Sequence, residues 1–286
     1  MAPARNLVPA APEAVLVTGA STGIGAAAAD ALARAGYAVF AGVRKESGSV
    51  RSSERHTGVR ETKLDVTDAS SIARAAATVA ESGLALRGVV NNAGIALGGP
   101  LEFLPVDELR RQFEVNVFGA VAVTQAFLPQ LRSARGRLLF VGSVSGRAAV
   151  PFLGPYSASK FALRAIADAL RVELAPSGIV VVLIEPASVK TPIWRKGRES
   201  RHELLRSLGP QAQRYYKEEL EALFRMTERE ERNAMPVELV TNAILHAMNA
   251  RRPRAHYAVG AALAKFFGVL PARLQDRLMR ESLQRR

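Results

Sequence analysis

The chain has 286 residues and no cysteine, which excludes disulfides and thiolate metal sites and favours a reducing, cytoplasmic setting. Nearly half of the residues are apolar, enough for a full core, yet no apolar run approaches the roughly 20 residues of a membrane-spanning helix. The formal charge of +13 would suit a nucleic-acid binder, but the arginines are scattered and no aromatic–basic stripe interleaves them. We therefore expect anionic small ligands and no nucleic acid.

Strand-like and helix-like segments alternate along the chain. Residues 1–13 are rich in Pro and Ala and lack the apolar centre of a signal peptide, which predicts a flexible lead-in. Short segments bounded by turn residues predict strands: 14–19, 37–42, 60–65, 88–91, 137–143, 179–185 and 256–260. Composition and apolar spacing predict helices: 26–35, 70–80, 109–131, 156–174, around 216–224, and 236–250.

This alternation predicts an α/β fold. Continuous apolar strands are typical of a parallel sheet that is covered by helices on both faces. Right-handed crossovers then give a doubly wound layout. No linker or repeat divides the chain, so we expect residues 1–286 to form a single domain.

The segment Thr18–Gly25, read Thr-Gly-Ala-Ser-Thr-Gly-Ile-Gly, lies between the first strand and the first helix. Glycines let the backbone approach a pyrophosphate, and the helix N-terminus supplies free N–H groups. The spacing differs from the common Gly-x-Gly-x-x-Gly, so an ordinary glycine turn is the alternative interpretation.

Tyr156 and Lys160 are four residues apart on a predicted helix, so both side chains reach one face. A free phenol titrates near 10, and a neighbouring ammonium is expected to lower that pKa, so that Tyr156 can exchange a proton with a substrate oxygen. The alternative is a surface Tyr/Lys contact without a chemical role.

Several motifs in one order make the sequence resemble the short-chain dehydrogenase/reductase family, its steroid- and retinol-active members in particular. The similarity covers about residues 14–192 and includes the glycine loop and Asn91-Asn92-Ala93-Gly94. It continues with Asn116, Ser143 at a strand end, and Tyr156-x3-Lys160 thirteen residues after Ser143. The resemblance implies a single Rossmann-type domain with a seven-stranded parallel sheet and a helical substrate lid over residues 192–235.

The family's functional residues map onto this chain position by position. The resemblance implies that Tyr156 transfers the proton, Ser143 holds the substrate oxygen, Lys160 bridges the cofactor ribose, and Asn116 anchors a water. No metal ligand is implied. The positions expected to contact the cofactor are Thr18, Gly19, Ser21, Thr22, Gly23, Ile24, Gly25, Asp65, Val66, Asn92, Ala93, Gly94, Tyr156, Lys160, Val189 and Thr191. Asp65 has an alternative role as a cap near Thr67.

The second strand indicates which nicotinamide cofactor is preferred. An acidic residue there would favour NAD, but Val43 occupies that position and Arg44 follows it. Arginine can pair with the 2′-phosphate of NADP, so we predict NADPH over NADH. A solvated loop arginine is the alternative. Ala187 also departs from the family pattern, because the family usually has glycine at that position.

The expected substrate side is apolar. Residues 144–155, the 192–235 segment with Trp194, and the Tyr216–Phe224 stripe predict a lipophilic carbonyl or alcohol. The segments Gly154–Trp194 and Arg254–Gly260 resemble steroid- and retinol-active members of the family, and this resemblance implies a steroid, retinoid or acyl type of substrate. The stripe could instead only pack its helix. We expect the basic and apolar tail, residues 261–286, to pack on the protein rather than touch a membrane. The resemblance implies a homodimer or homotetramer. A non-catalytic NADP(H)-binding protein and a methyltransferase are the rival functions.

Overall fold

Seven parallel strands form one sheet in the order β3-β2-β1-β4-β5-β6-β7. The computed structural model describes residues 12–45, 56–192, 194, 206, 208–260, 264–267 and 270–284. Residues 1–11 of the expected lead-in therefore lie outside the described residues. The strands are β1 (Ala14–Val17), β2 (Ala38–Val43), β3 (Val59–Lys63), β4 (Leu86–Asn91), β5 (Arg137–Val141), β6 (Val180–Pro186) and β7 (His256–Val259).

Helices cover both faces of this sheet. They are α1 (Gly23–Arg34), α2 (Ala69–Glu81), α3 (Val106–Phe113), α4 (Gly119–Ala134), α5 (Gly154–Glu173), α6 (Gly209–Arg232), α7 (Glu238–Asn249), α8 (Ala264–Phe267) and α9 (Ala272–Gln284). Helices α2, α4 and α5 bury one apolar cluster against the sheet, and α1 and α7 bury another on the opposite face. The doubly wound fold predicted from the sequence is confirmed.

The strand compositions explain why both faces need covering. In β5, Leu138 and Phe140 belong to the first cluster while Leu139 and Val141 belong to the second, and all are buried. Side chains alternate between the faces of a strand, so a continuous apolar run requires a helix layer on each side. The strand order reverses between β1 and β4, and such a switch point opens a crevice at the carboxyl edge.

The predicted helix over 109–131 is two helices joined by a π-helical turn. This turn, Glu114–Phe118, lies between α3 and α4 and holds the buried side chain of Asn116. A π turn inserts one extra residue into the helical repeat, which apolar spacing alone does not reveal. Such turns occur frequently at functional sites.

Helix α6 extends beyond the predicted apolar stripe and bends at Tyr216, whose backbone is non-helical at φ −126° and ψ 20°. The C-terminal helix α9 contacts α6. Within the described part of the chain, no helix combines the length and the apolarity needed to cross a membrane. The division into a lead-in, a 192–235 lid and a tail stays a prediction.

Candidate active site

The glycine loop is tied to the end of β4 by a group of hydrogen bonds. The buried Thr18 hydroxyl accepts the backbone N–H groups of Asn92 at 3.0 Å and Ala93 at 2.9 Å. The Asn92 amide donates in return to the carbonyls of Thr18 at 2.9 Å and Gly19 at 3.2 Å. The Asn92 side chain therefore holds the ends of β1 and β4 together. The family resemblance alone did not indicate this role.

Two glycines of the loop are required by close packing. A Cβ on Gly19, where φ is +63°, would lie 2.8 Å from the Ala93 Cα. A Cβ on Gly25 would lie 2.4 Å from both the Gly19 carbonyl oxygen and the Asn92 amide nitrogen. Backbone atoms cannot yield to such contacts, so the loop conformation depends on these two residues.

Helix α1 begins directly behind this loop and presents its N-terminus to the crevice. Thr22 is the exposed N-cap and makes no side-chain capping hydrogen bond. The first N–H groups of a helix lack intrahelical partners and carry partial positive charge, which suits a phosphate. Ser21, Gly23 and Ile24 are half-buried beside Thr22. This donor set fits the pyrophosphate of a dinucleotide.

The residues expected around the adenosine end lie at the neighbouring strand ends. Arg44 is exposed one residue after β2, whereas Val43 is buried. The Asp65 carboxylate accepts the Thr67 N–H at 2.9 Å and the Thr67 hydroxyl at 2.7 Å. It does not cap helix α2, because the N-cap there is Asp68, which accepts the Ser70 N–H at 2.8 Å. Val66 is buried against Gly119.

Ser143, Tyr156 and Lys160 come together beyond the carboxyl end of β5. Ser143 lies beside the half-buried Tyr156 phenol, close enough to lower its pKa, and the Ser143 hydroxyl accepts the Ser145 N–H at 3.1 Å. The buried Lys160 ammonium lies 5.7 Å from the centre of the Tyr156 ring and donates to the Val141 carbonyl at 2.9 Å. The three groups can thus act on one substrate oxygen.

The electrostatics of this group differ from the expectation. Burial raises the pKa of the Tyr156 phenol above its usual value, and the Ser143 hydrogen bond offsets this only in part. Burial lowers the pKa of Lys160 to about 8. The predicted lowering of the Tyr156 pKa is therefore wrong for this structure, because desolvation disfavours the charged phenolate and only the Ser143 hydrogen bond opposes it. At neutral pH the phenol keeps its proton and can donate it.

Asn116 is held by three protein hydrogen bonds. Its carbonyl oxygen accepts the Ile95 N–H at 2.8 Å, and its amide donates to the Ile95 carbonyl at 2.9 Å and to the Ser159 hydroxyl at 3.0 Å. Ser159 donates to the Tyr156 carbonyl at 2.7 Å, and so links Asn116 to helix α5. One turn earlier, the fully buried Gln112 accepts the Leu97 N–H at 2.8 Å.

Gln112 and Ser159 are functional-site neighbours that the sequence analysis missed. A buried Gln four residues before Asn116 on a helix was an available signal, because both side chains then face the same loop. The role of Ser159 depends on a contact across 43 residues of sequence, for which the chain offers no local signal.

Val189 and Thr191 follow β6, and Thr191 lies against the glycine loop. A Cβ on Gly23 would lie 3.3 Å from Thr191, and the carbonyl of the buried Val189 accepts the Trp194 indole N–H at 2.7 Å. Gly94, the last residue of the second motif, lies against Asn116. The carboxyl ends of β1, β4, β5 and β6 therefore bring the predicted site residues to one edge of the sheet.

Aromatic side chains gather between helix α6 and the loops near this edge. The ring of Tyr216 lies edge-on to Phe103 and Phe152, at centroid distances of 6.1 and 6.0 Å. Phe152 has a left-handed backbone, with φ +63°, which is strained for a residue of this size. The apolar stripe of α6 thus contacts the 144–155 loop as well as packing its own helix.

The Gly25→Ala variant tests the loop packing. We expect the added methyl to weaken NADP⁺ binding by about tenfold or more, because overpacking against backbone costs about 1–3 kcal/mol. Isothermal titration calorimetry measures the change. Gly154→Ala is the matched control, since a Cβ there meets no atom within 4 Å. Equal binding by both variants would contradict the packing argument.

Comparison with known proteins agrees with this geometry. The family model described as short chain dehydrogenase matches residues 13–202. An NADPH-dependent 3-dehydrocapnine reductase of Ornithobacterium rhinotracheale is 35% identical over 283 residues, covering 94% of this chain and 97% of the relative. Retinol dehydrogenase 5 of Mus musculus is 36% identical over 295 residues, covering 96% and 90%.

A solved short chain dehydrogenase from Burkholderia cenocepacia J2315, in complex with NADP, superposes with a TM-score of 0.69. It is 26% identical, and the match covers 95% of this chain and 97% of that one. The chain belongs to the short-chain dehydrogenase/reductase family and is an NAD(P)-dependent oxidoreductase acting on CH–OH groups.

Proposed function

We propose that this protein is an NADP(H)-dependent oxidoreductase that interconverts a carbonyl and an alcohol on a lipophilic substrate, with Tyr156 as the proton donor and acceptor. The observation that carries the proposal is the placement of Ser143 and the buried Lys160 ammonium beside the Tyr156 phenol. Neither a non-catalytic binding protein nor a methyltransferase needs these three groups together.

In the direction of carbonyl reduction, NADPH supplies the hydride when it is bound. Ser143 donates a hydrogen bond to the substrate oxygen and orients it toward Tyr156. Tyr156, protonated because burial raises its pKa, transfers its proton to that oxygen as negative charge develops there. The buried Lys160 ammonium, 5.7 Å from the centre of the ring, offsets part of the cost of forming the phenolate that remains.

The cofactor preference for NADPH rests on the charge at the end of β2. Arg44 is exposed there, and no carboxylate competes for the ribose at the preceding position, where Val43 is buried. A relative whose name states NADPH dependence and a structural neighbour bound to NADP support this preference.

The substrate class rests on the aromatic cluster of Phe103, Phe152, Tyr215 and Tyr216. These rings form an apolar surface for a substrate next to the loop that follows Ser143. The Tyr216 hydroxyl also donates a hydrogen bond to Glu102 at 2.9 Å. Retinol dehydrogenase 5 among the relatives agrees with a steroid, retinoid or acyl type of substrate.

We infer a homodimer or homotetramer in the cytoplasm. One face of α5 exposes only apolar side chains, at Ala158, Phe161, Ala165, Ala169 and Val172. Phe118 is likewise 56% exposed in the π-helical turn. A contiguous apolar face of this kind indicates a protein interface. The absence of cysteine agrees with a reducing compartment.

Tyr156→Phe tests the mechanism. Removing the hydroxyl takes away the proton donor but keeps the ring, so we expect kcat for carbonyl reduction to fall by about 100-fold or more. The Kd for NADPH should stay within about twofold of wild type, because the ring packing is retained. Steady-state kinetics and fluorescence titration measure the two quantities. Unchanged turnover would refute the role of Tyr156.

Arg44→Ala tests the cofactor preference. Losing the guanidinium should weaken NADPH binding by about tenfold, since hydrogen bonds to charged groups contribute roughly 1.5–3 kcal/mol. NADH binding should change little, because NADH has no 2′-phosphate. Arg60→Ala, which removes an exposed arginine from β3, is the control. An equal loss for both cofactors would contradict our interpretation of Arg44.

A further inference from the structure

A cluster of charged side chains near the active-site edge has no part in the reaction described above. Arg147 follows the turn after Ser143, and its guanidinium donates twice to the carboxylate of Glu185, at 2.7 and 2.5 Å. The Glu185 side chain is only 1% exposed and stands just before the 186–191 segment. A carboxylate buried this deeply needs such a bidentate partner.

His256 on β7 extends this pair toward helix α5. Its Nδ1 lies 3.3 Å from a Glu185 carboxylate oxygen and 3.3 Å from an Arg147 guanidinium nitrogen. Its Nε2 lies 2.8 Å from an Asp168 carboxylate oxygen. Asp168 is in turn paired with Arg171 at 2.5 Å and with Arg164 at 3.9 Å. The imidazole thus stands between two carboxylates.

We propose that His256 is a positioning residue: in its charged form it holds β6 and α5 in the arrangement that the reaction needs, and its deprotonation lowers the reaction rate. The catalytic part of this inference rests on the function proposed above. The structural part does not rest on that function. It states that the 186–194 segment changes when His256 gains or loses its charge.

The two ring nitrogens give the imidazole a different partner in each charge state. When charged, His256 donates from Nδ1 to Glu185 and from Nε2 to Asp168. When neutral, it keeps the Nε2 proton on Asp168, and its Nδ1 becomes an acceptor for Arg147. Deprotonation of His256 therefore removes the hydrogen bond that its Nδ1 donates to buried Glu185. It also gives the Arg147 guanidinium a second acceptor, the His256 Nδ1, besides the Glu185 carboxylate.

These partners connect directly to the candidate site. Glu185 lies four residues before Val189, and Asp168 lies on the helix that carries Tyr156 and Lys160. Arg147 lies four residues after Ser143, and the turn between them packs so tightly on α5 that a Cβ on Gly146 would lie 2.7 Å from the Lys160 carbonyl oxygen. A shift of Arg147 or Glu185 is thereby transmitted to Ser143 and Val189.

Both carboxylates stay charged where imidazoles titrate. Burial would raise the pKa of Glu185, but hydrogen bonds from His256 and Arg147 outweigh it and lower that pKa. The same balance lowers the pKa of Asp168, through Arg171 and His256. The His256 side chain is 22% exposed, so protons of the solvent reach it.

Trp194 is the single tryptophan of the chain and reports on this region without any substrate. Its indole N–H donates to the Val189 carbonyl, in the segment that follows Glu185. We expect the fluorescence of the cofactor-free protein to show a step as the pH is raised. His256→Gln should abolish the step, whereas the control His246→Gln, whose ring hydrogen-bonds Tyr257, should keep it.

The Asp168→Asn variant tests in which direction the midpoint of the fluorescence step moves. Without this carboxylate the imidazolium is less stabilised, so the step should move to lower pH by about one unit. A purely structural role for His256 would not move the midpoint. A wild-type protein without a step, a step that persists in His256→Gln, or one lost in His246→Gln would overturn the proposal.

Turnover tests the catalytic half. With NADPH and a carbonyl substrate, kcat should fall by about tenfold as pH rises through the same step, within the range that small misplacements of reacting groups produce. In His256→Gln the fall at the midpoint of the fluorescence step should be absent, and any fall that remains should follow the loss of the Lys160 charge, whose pKa is about 8. A kcat that does not change with pH in the wild-type protein would refute the catalytic part of the proposal. The absence of any turnover would count against the proposed function instead. In that case the fluorescence step would still decide the structural part.

Discussion

The burial of the Lys160 ammonium against the carbonyl at the end of β5 is the interaction on which the site depends. A buried cation must keep a strong acceptor, so this contact fixes helix α5 relative to the strand that leads to Ser143. With α5 fixed, Tyr156 lies against Ser143, and Ser159 meets Asn116. The parallel sheet then brings the glycine loop and the 186–191 segment to the same edge. The groups that we propose for proton transfer and cofactor binding are thus brought together by one packing arrangement.

Much of this could be predicted from the sequence because it is local. The apolar strands, the glycine loop before α1 and the Tyr156/Lys160 spacing are all visible within a few residues. The features that were missed depend on contacts between distant segments. The contacts of Asn116 with Ile95 and Ser159, the hydrogen bonds between Thr18 and Asn92, and the Glu185–His256 contact each join residues at least 21 positions apart. The direction of the Tyr156 pKa was wrong because it depends on burial, which spacing does not reveal.

The raised pKa of Tyr156 and the lowered pKa of Lys160 have one cause, the exclusion of water from the carboxyl edge. A dry site strengthens every charge interaction within it, which favours proton donation to a developing oxyanion. It also makes unpaired charges costly, so Arg147 and Glu185 are paired. We infer that His256 makes this cluster sensitive to pH.

The most direct test of the account is the oxidation of NADPH by the purified protein with a panel of lipophilic ketones and aldehydes, followed by absorbance, with NADH in parallel. The account predicts turnover with NADPH, slower turnover with NADH, and a preference for bulky apolar carbonyls that contact the aromatic cluster. Absence of turnover with both cofactors across the panel would contradict the assignment of Ser143, Tyr156 and Lys160 as a working catalytic group.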